Sequence, residues 1–269
     1  MKEPLICEDI VQAFRKVGLE TGESLVVHSS FRSIGPVAGG PETVIRALLD
    51  VIGPEGNLMF PTFNGPSTAQ PYFDPDKTPS RTGIIPEMGR NFPGAVRSLH
   101  PTHSVAVIGP DAEMLTRGHL DCRAVGVDSP LDRLAKMGGK ILMIGVMNNS
   151  NTTVHVGEEH AGALKVVPFF NIPSIKVRLP DGRIISHQLD TSPSCSVAFG
   201  AIDYPLRRKD LLTDGRIGGS KLMLMRGSDV IETVCEMIED KPDVLLCTWG
   251  DCRTCSKSRQ ELRAAGRIE

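Results

Sequence analysis

The stretch LVVHSSFRSIGPVAGGPETVIRALLDVIGPEGNLMF, residues 25–60, decides the fold class. Leu25-Val26-Val27-His28 reads as a short buried strand. Ser29 to Gly40 follows as a loop. Pro41 then stands where a helix begins, because the N–H it lacks is one that a first turn leaves unpaired anyway. Ile45, Leu48, Leu49 and Ile52 fall on one helical face, and Gly53-Pro54 stops the helix. Leu58-Met59-Phe60 is the next strand. Strand, loop, helix, strand is the unit from which α/β sheets are built.

The same alternation extends in both directions. Ile10, Val11, Phe14 and Val17 recur at helical spacing. Strands are expected at Val105 to Ile108 and at Ile141 to Val146. Helices are expected near Pro110 and at Ser129-Pro130, where a capping serine precedes a first-turn proline. Ser174 to Leu179 and Arg183 to Leu189 flank Asp181-Gly182, a strong hairpin signal. Residues 61 to 80 are rich in Pro, Thr, Ser, Asp and Gly, and a loop of that length in a compact domain tends to serve function. The expectation is an α/β protein in which residues 1–269 form a single large domain. A central mixed sheet is flanked by helices, and a small lobe contains the β-hairpin. Residues 247–269 form a cysteine-containing tail, polar after Cys255, that is either a surface helix or frayed.

Composition narrows the function. A net charge of −2 and an aromatic content of 4% offer neither nucleic acid nor an anionic membrane a reason to bind. No apolar run approaches the roughly 18 residues needed to span a bilayer. The start MKEPLICED carries acids where a secretory signal would be apolar. Seven cysteines, an odd number, suit reduced thiols better than a disulfide framework. Together these features predict a cytoplasmic protein with no nucleic acid or membrane partner.

Three segments carry chemistry. In Val27 to Gly35 a strand ends in small hydroxyl residues, and Gly39-Gly40-Pro41 leads into a helix. Backbone amides at such a junction favour a phosphate group, and Arg32 could add a charge-assisted contact. The plainer alternative is an ordinary turn capped by serine. In Arg97 to Ser104, His100 and His103 lie just before a strand, with a structural hydrogen-bonding role as the alternative. In Asn149 to His160, Asn151 or Thr152 caps a new helix after the strand of Lys140 to Val146. His155 then shares a face with Glu158 or Glu159. A carboxylate on one imidazole nitrogen fixes the tautomer and frees the other nitrogen as a base.

Seven ordered motifs, VHSSFRSIG, GPEGNLMFPTF, PSRTGIIPEMGR, RSLHPTHSVAVIGP, GVDSPLDRL, GKILMIGV and NTTVHVGEE, together resemble the aminoglycoside 3-N-acetyltransferase family. The correspondence runs from about Leu25 to Arg226. The resemblance implies acetyl coenzyme A as donor and an amine of a small polar substrate as acceptor, typically the 3-amino group of an aminoglycoside antibiotic. It implies His155 as general base with Glu158 beside it. It implies coenzyme contacts from His28, Ser29, Ser30, Phe31, Arg32 and Ser33, from Arg81, Thr82 and Gly83, and from His103 and Ser104, with Thr62 and His100 also lining the shared cleft. A polycationic acceptor wants carboxylates, for which Asp74, Asp128 and Asp203 are the candidates, with Asp76 and Asp210 as further ones. Gly157 departs from the pattern, since the family often has alanine before the acidic residue.

Other readings remain open at this level. Relatives acylate other small amines, so a non-antibiotic amine metabolite is an alternative acceptor. A catalytically idle ligand- or metal-binding relative is another. A serine hydrolase lacks its G-x-S-x-G elbow. A thiol enzyme built on Cys195 competes with a buried structural cysteine. Cys247, Cys252 and Cys255 have zinc-knuckle spacing but no local fourth ligand, which only a distant residue such as Cys7 or Cys235 could supply if the fold brings it near. The preferred reading assigns no metal and takes them as reduced thiols packed on the sheet.

Overall fold

The strand at residues 25–28 forms the centre of the sheet. A computed structural model describes residues 3–64, 72–163, 174–189 and 195–269. Its first half contains α1 (Cys7–Val17), β1 (Ser24–Ser29), α2 (Phe31–Ile34), α3 (Pro41–Ile52), β2 (Asn57–Pro61), β3 (Tyr72–Phe73), α4 (Ile84–Arg90), β4 (Val96–Arg97), β5 (Val105–Ile108) and α5 (Ala112–Thr116). There follow α6 (Pro130–Lys136), β6 (Lys140–Ile144), α7 (Thr153–His160), β7 (Ser174–Arg178), β8 (Ile184–Gln188), α8 (Asp203–Arg208), β9 (Leu212–Ile217), β10 (Ser220–Arg226), α9 (Gly227–Asp240) and α10 (Arg253–Ala264). Short 3₁₀ segments lie at Asn148–Ser150 and Val197–Ile202.

Seven strands form one mixed sheet in the order β4-β5-β2-β1-β6-β10-β9. Its centre, β2-β1-β6, is parallel, and β5 and β10 join it antiparallel. Because side chains alternate along a strand, the central strands feed two cores. Val26, Met59, Ile141 and Met143 face a layer that includes Val154, Leu134, Phe199 and Val234. Leu25, Val27, Leu58, Leu142 and Ile144 face the layer of α1 and α3, including Phe14, Ile45 and Leu48. The Asp181-Gly182 hairpin forms as expected and pairs β7 with β8, while β3 adds in parallel to β7 to complete a small second sheet. Phe73, Ile175 and Val177 make its core.

Three boundaries differ from the sequence expectation. The loop after β1 contains the single turn α2, begun by Ser30 in extended conformation and tied by the Ser33 hydroxyl, which donates to Ser30 O at 2.7 Å. The strand expected to reach Val146 ends at Ile144, where Gly145 takes φ 65° and turns the chain. The helix expected near Pro110 starts at Ala112. Of the long loop at 61–80, residues 65–71 lie outside the described residues. The tail after Cys252 is the helix α10, with Cys255, Ser258 and Leu262 buried on one side.

Gly157 is explained by packing. It lies in α7 where that helix crosses α9, and a Cβ there would stand 2.6 Å from Val234 Cβ. Overpacking of this kind costs about 1–3 kcal/mol, more than the roughly 1 kcal/mol that alanine returns in helix propensity. Gly157→Ala is therefore expected to lower unfolding free energy in urea by about 1 kcal/mol. Adding Val234→Ala should recover part of that loss. A Gly157→Ala protein as stable as the parent would show that the two helices separate freely.

Candidate active site

Because β1, β2 and β6 are parallel, their C-terminal ends open on the same edge of the sheet. From β1 the chain passes to β2 on one side, and later returns to β6 on the other. Open α/β sheets bind ligands where connections part in this way. A cleft of about 380 Å³ lies there. Its walls come from His28 and Ser29 at the end of β1, Pro61 at the end of β2 with Phe63 beyond it, and Asn149 to Thr152 with His155 after β6. Thr82, His103, Ser196 and Phe199 complete them.

A ladder of amides builds the start of α7. Asn151 Oδ1 accepts the Thr153 N–H at 3.1 Å, and Asn151 Nδ2 donates to Asn148 Oδ1 at 2.9 Å. Asn148 Nδ2 in turn donates to Asp203 Oδ1 at 2.6 Å. This fixes the helix start and hence the direction of His155, one turn on. Three residues later Glu158 lies on the same face, and its Oε2 accepts from His155 Nδ1 at 2.6 Å. Both side chains are buried. The Phe199 ring stands edge-on to the imidazole, with centroids 4.6 Å apart. With Nδ1 held by the carboxylate, the Nε2 side of the ring is the one left for the cleft.

The opposite wall is polar and uncharged. His28 is 8% exposed, and burial pulls its pKa down to about 4, so it is neutral at pH 7. His28 Nε2 and Ser29 Oγ are buried without a hydrogen-bond partner among the described residues. Most buried polar groups are paired, so two orphans on a cleft wall point to a polar ligand that satisfies them. His103 packs against Phe63 with centroids 4.6 Å apart, and its Nδ1 lies 2.8 Å from Thr102 Oγ1. Burial, then the nearby His155 and His119, pushes its pKa down to about 3.

The structure gathers some of the sequence candidates and disperses others. His28, Ser29, Thr82, His103 and His155 line the cleft, and Glu158 stands directly behind His155. Ser30 commits its N–H to Ile144 O at 2.8 Å, Phe31 packs against the α1–α3 core, and Arg32 is exposed. The Ser33 hydroxyl bonds to Ser30 O. Arg81 donates its N–H to Phe63 O at 2.8 Å, and Gly83 precedes α4. Ser104 and Thr62 are fully buried and bonded to each other. Both also take the Nε–H of Arg97, whose guanidinium donates to Thr62 O, Pro75 O and Thr78 O. His100 is 3% exposed and accepts the N–H of His103 at 3.1 Å, a structural use.

The three acids part company. Asp74 Oδ1 accepts the N–H of Asp76 at 3.0 Å inside a turn, with Arg178 3.6 Å away. Asp128 takes φ 61° and pairs with Lys136 at 2.9 Å, in a depression formed with Arg117, Asp121 and Arg133. Neither lines the cleft, and nor does Asp203, which accepts from Asn148 Nδ2 in the amide ladder that starts α7. Ser196 and Phe199 carry no signal in the sequence, because nothing local marks a lone phenylalanine as the packing partner of a distant histidine.

A buried carboxylate–imidazole pair faces a cleft at the carboxyl ends of parallel strands, an arrangement that an α/β enzyme can use to accept a proton. The profile of the aminoglycoside 3-N-acetyltransferases matches residues 26–239, and the chain belongs to that family of acyltransferases. It is 30% identical to aminoglycoside N(3)-acetyltransferase IV of Salmonella sp over 240 residues, covering 88% of this chain and 89% of that one. It is 32% identical to aminoglycoside N(3)-acetyltransferase VII of Streptomyces paromomycinus, covering 84% and 88%. The crystal structure of aminoglycoside acetyltransferase AAC(3)-IVa superposes with a TM-score of 0.86 at 28% identity, over 97% of this chain and 98% of that one. A mutant of the same enzyme, in complex with a gentamicin, superposes equally well.

Proposed function

We propose that this chain, acting as one unit over residues 1–269, transfers the acetyl group of acetyl coenzyme A to the 3-amino group of an aminoglycoside. His155 is the general base. The single observation that carries the reading is the 2.6 Å bond between His155 Nδ1 and Glu158 at a cleft whose other wall offers unpaired polar groups. The aminoglycoside part rests on family membership and on the relative that binds a gentamicin.

An aminoglycoside amine is mostly protonated at neutral pH and must lose a proton to attack a thioester. The free amine attacks the thioester, His155 Nε2 takes a proton from the nitrogen as the nitrogen–carbon bond forms, and Glu158 stabilises the resulting imidazolium through Nδ1–H. Collapse of the tetrahedral intermediate then breaks the carbon–sulfur bond, and the departing coenzyme A thiolate takes the proton back from the imidazolium. A base so positioned contributes about 10²–10⁴-fold. The tetrahedral oxyanion needs a donor, and cleft hydroxyls such as Ser29 and Thr82 are of that type. Donor and acceptor lie side by side, so transfer is direct and needs no acyl-enzyme. On the coenzyme side we assign His28, Ser29, Thr82 and His103 as the walls. The α2 turn contributes the amides of Phe31 and Arg32, which a first turn leaves unpaired, and the Arg32 charge. Arg81, Gly83 and Ser104 hold that wall in shape. Asp203 is the acid we assign to the cationic acceptor.

The deciding experiment is product analysis with acetyl coenzyme A and a panel of gentamicin-, neomycin- and apramycin-type compounds beside simple amines. Mass spectrometry should show a single acetyl group, on the 3-amino nitrogen. Acetylation of simple amines alone would assign the enzyme to a non-antibiotic metabolite instead.

A further inference from the structure

Four of the seven cysteines converge behind the active site. Cys195 immediately precedes the 3₁₀ segment Val197–Ile202, Cys247 lies in the turn after residues 243–246, and Cys252 and Cys255 open α10. Their Sγ atoms all lie within 4.8 Å of one another, and none is in a disulfide. A tetrahedron of thiolates at a Zn–S distance of about 2.3 Å has edges of about 3.8 Å, so small side-chain rotations close the site. Cys247 and Cys255 are buried and the other two half-buried, as in a closed structural centre.

The surroundings suit thiolates. Backbone N–H groups of Val197, Cys247 and Cys255 point at the sulfurs of Cys195, Cys255 and Cys252 respectively. Such outer bonds steady metal-bound sulfur. Arg259 clamps the loop by donating to Leu246 O and Cys247 O at 2.7 Å each. Cys252-x-x-Cys255 has ligand spacing, and the fourth ligand that the tail itself lacks arrives from a distant part of the chain.

We propose that Cys195, Cys247, Cys252 and Cys255 bind one structural zinc ion that ties α10 to the rear wall of the active site. On binding, four S–H protons leave as four Zn–S bonds form, with no change of oxidation state. Cys195 leads directly into Ser196 and Phe199, and the Phe199 ring packs on His155. On the other arm, Leu246, Ser258 and Leu262 pack behind Glu158. The ion therefore holds both supports of the His155–Glu158 pair while touching neither residue.

The test is metal analysis of the full chain purified without chelator or added metal. We expect about one zinc per chain, and cobalt exchange should yield the visible bands and thiolate charge-transfer absorption of a four-sulfur tetrahedral site. Cys195→Ser and Cys252→Ser should each lower zinc content at least about tenfold. Cys235→Ser, outside the cluster, should keep it. Removing zinc from the wild type should lower Tm, and adding zinc back should restore it. Iron in place of zinc, a disulfide between any two of the four, or a metal-free protein whose Tm ignores added zinc would overturn the proposal. Full zinc retention in Cys195→Ser would do the same.

Discussion

Replacing His155 by alanine is expected to lower kcat by about 10²-fold or more while coenzyme affinity stays near the parent value. In the proposed reaction the ring supplies the base on the α7 wall, and its direction is set on two sides by Glu158 and Phe199. Glu158→Gln should do less harm, because an amide oxygen can still accept from Nδ1–H but no longer balances the imidazolium charge. Steady-state kinetics together with calorimetry of coenzyme A separates the two roles. A His155→Ala enzyme that keeps most of the wild-type rate would remove the histidine from the proton transfer. Equal losses of kcat and coenzyme affinity would mean that the wall had collapsed.

Mild acid is expected to destabilise this protein at a pH still above the range in which carboxylates titrate. His28 and His119 are buried, and burial lowers both pKa values to about 4. His100, buried among His119, His103 and His187, is also pushed well down. The unfolded chain's histidines titrate near pH 6.5, by the ordinary value of about 6.5 for an exposed imidazole. These histidines are therefore neutral in the fold and protonated in the unfolded state once the pH drops below about 6.5. The stability they confer is complete above that value and is lost as the pH falls towards about 4. At pH 5 each of His28 and His119 costs about 2 kcal/mol, together a large part of a domain's usual 5–15 kcal/mol. Urea unfolding at pH 8 and pH 5 measures the difference. His119→Gln should flatten the pH slope even though it lowers stability at pH 8, where His119 Nδ1 meets Ser98 Oγ at 2.8 Å and Nε2 donates to Ala124 O at 2.9 Å. A stability that does not change between the two pH values would show that the buried rings are hydrated.

Local pattern was enough for much of the architecture. The run at 25–28, the helical stripe after Pro41 and the Asp181-Gly182 hairpin each state their structure in spacing and turn chemistry. All three recur in the fold. The three-residue step from His155 to Glu158 was equally legible, because a helix puts those positions on one face and the hydrogen bond then needs no distant partner. Strand order needed the fold. The antiparallel additions of β5 and β10 depend on contacts between residues far apart in the chain.

The same division runs through the site and the tail. Ser104 and His100 had the right chemistry for a cleft, and tertiary packing spent it on interior bonds to Thr62, Arg97 and His103. Asp74 and Asp128 likewise serve a turn and an ion pair away from the cleft. Phe199 carries no local signal, and nothing near Cys195 marks it as a partner of the tail cysteines. Their partners, His155 and the cysteines of the tail, lie many residues away, and only the folded chain brings them within contact. Residue type and spacing determined which groups could do the chemistry; the competition for buried hydrogen bonds, settled in three dimensions, decided which remained free to do it.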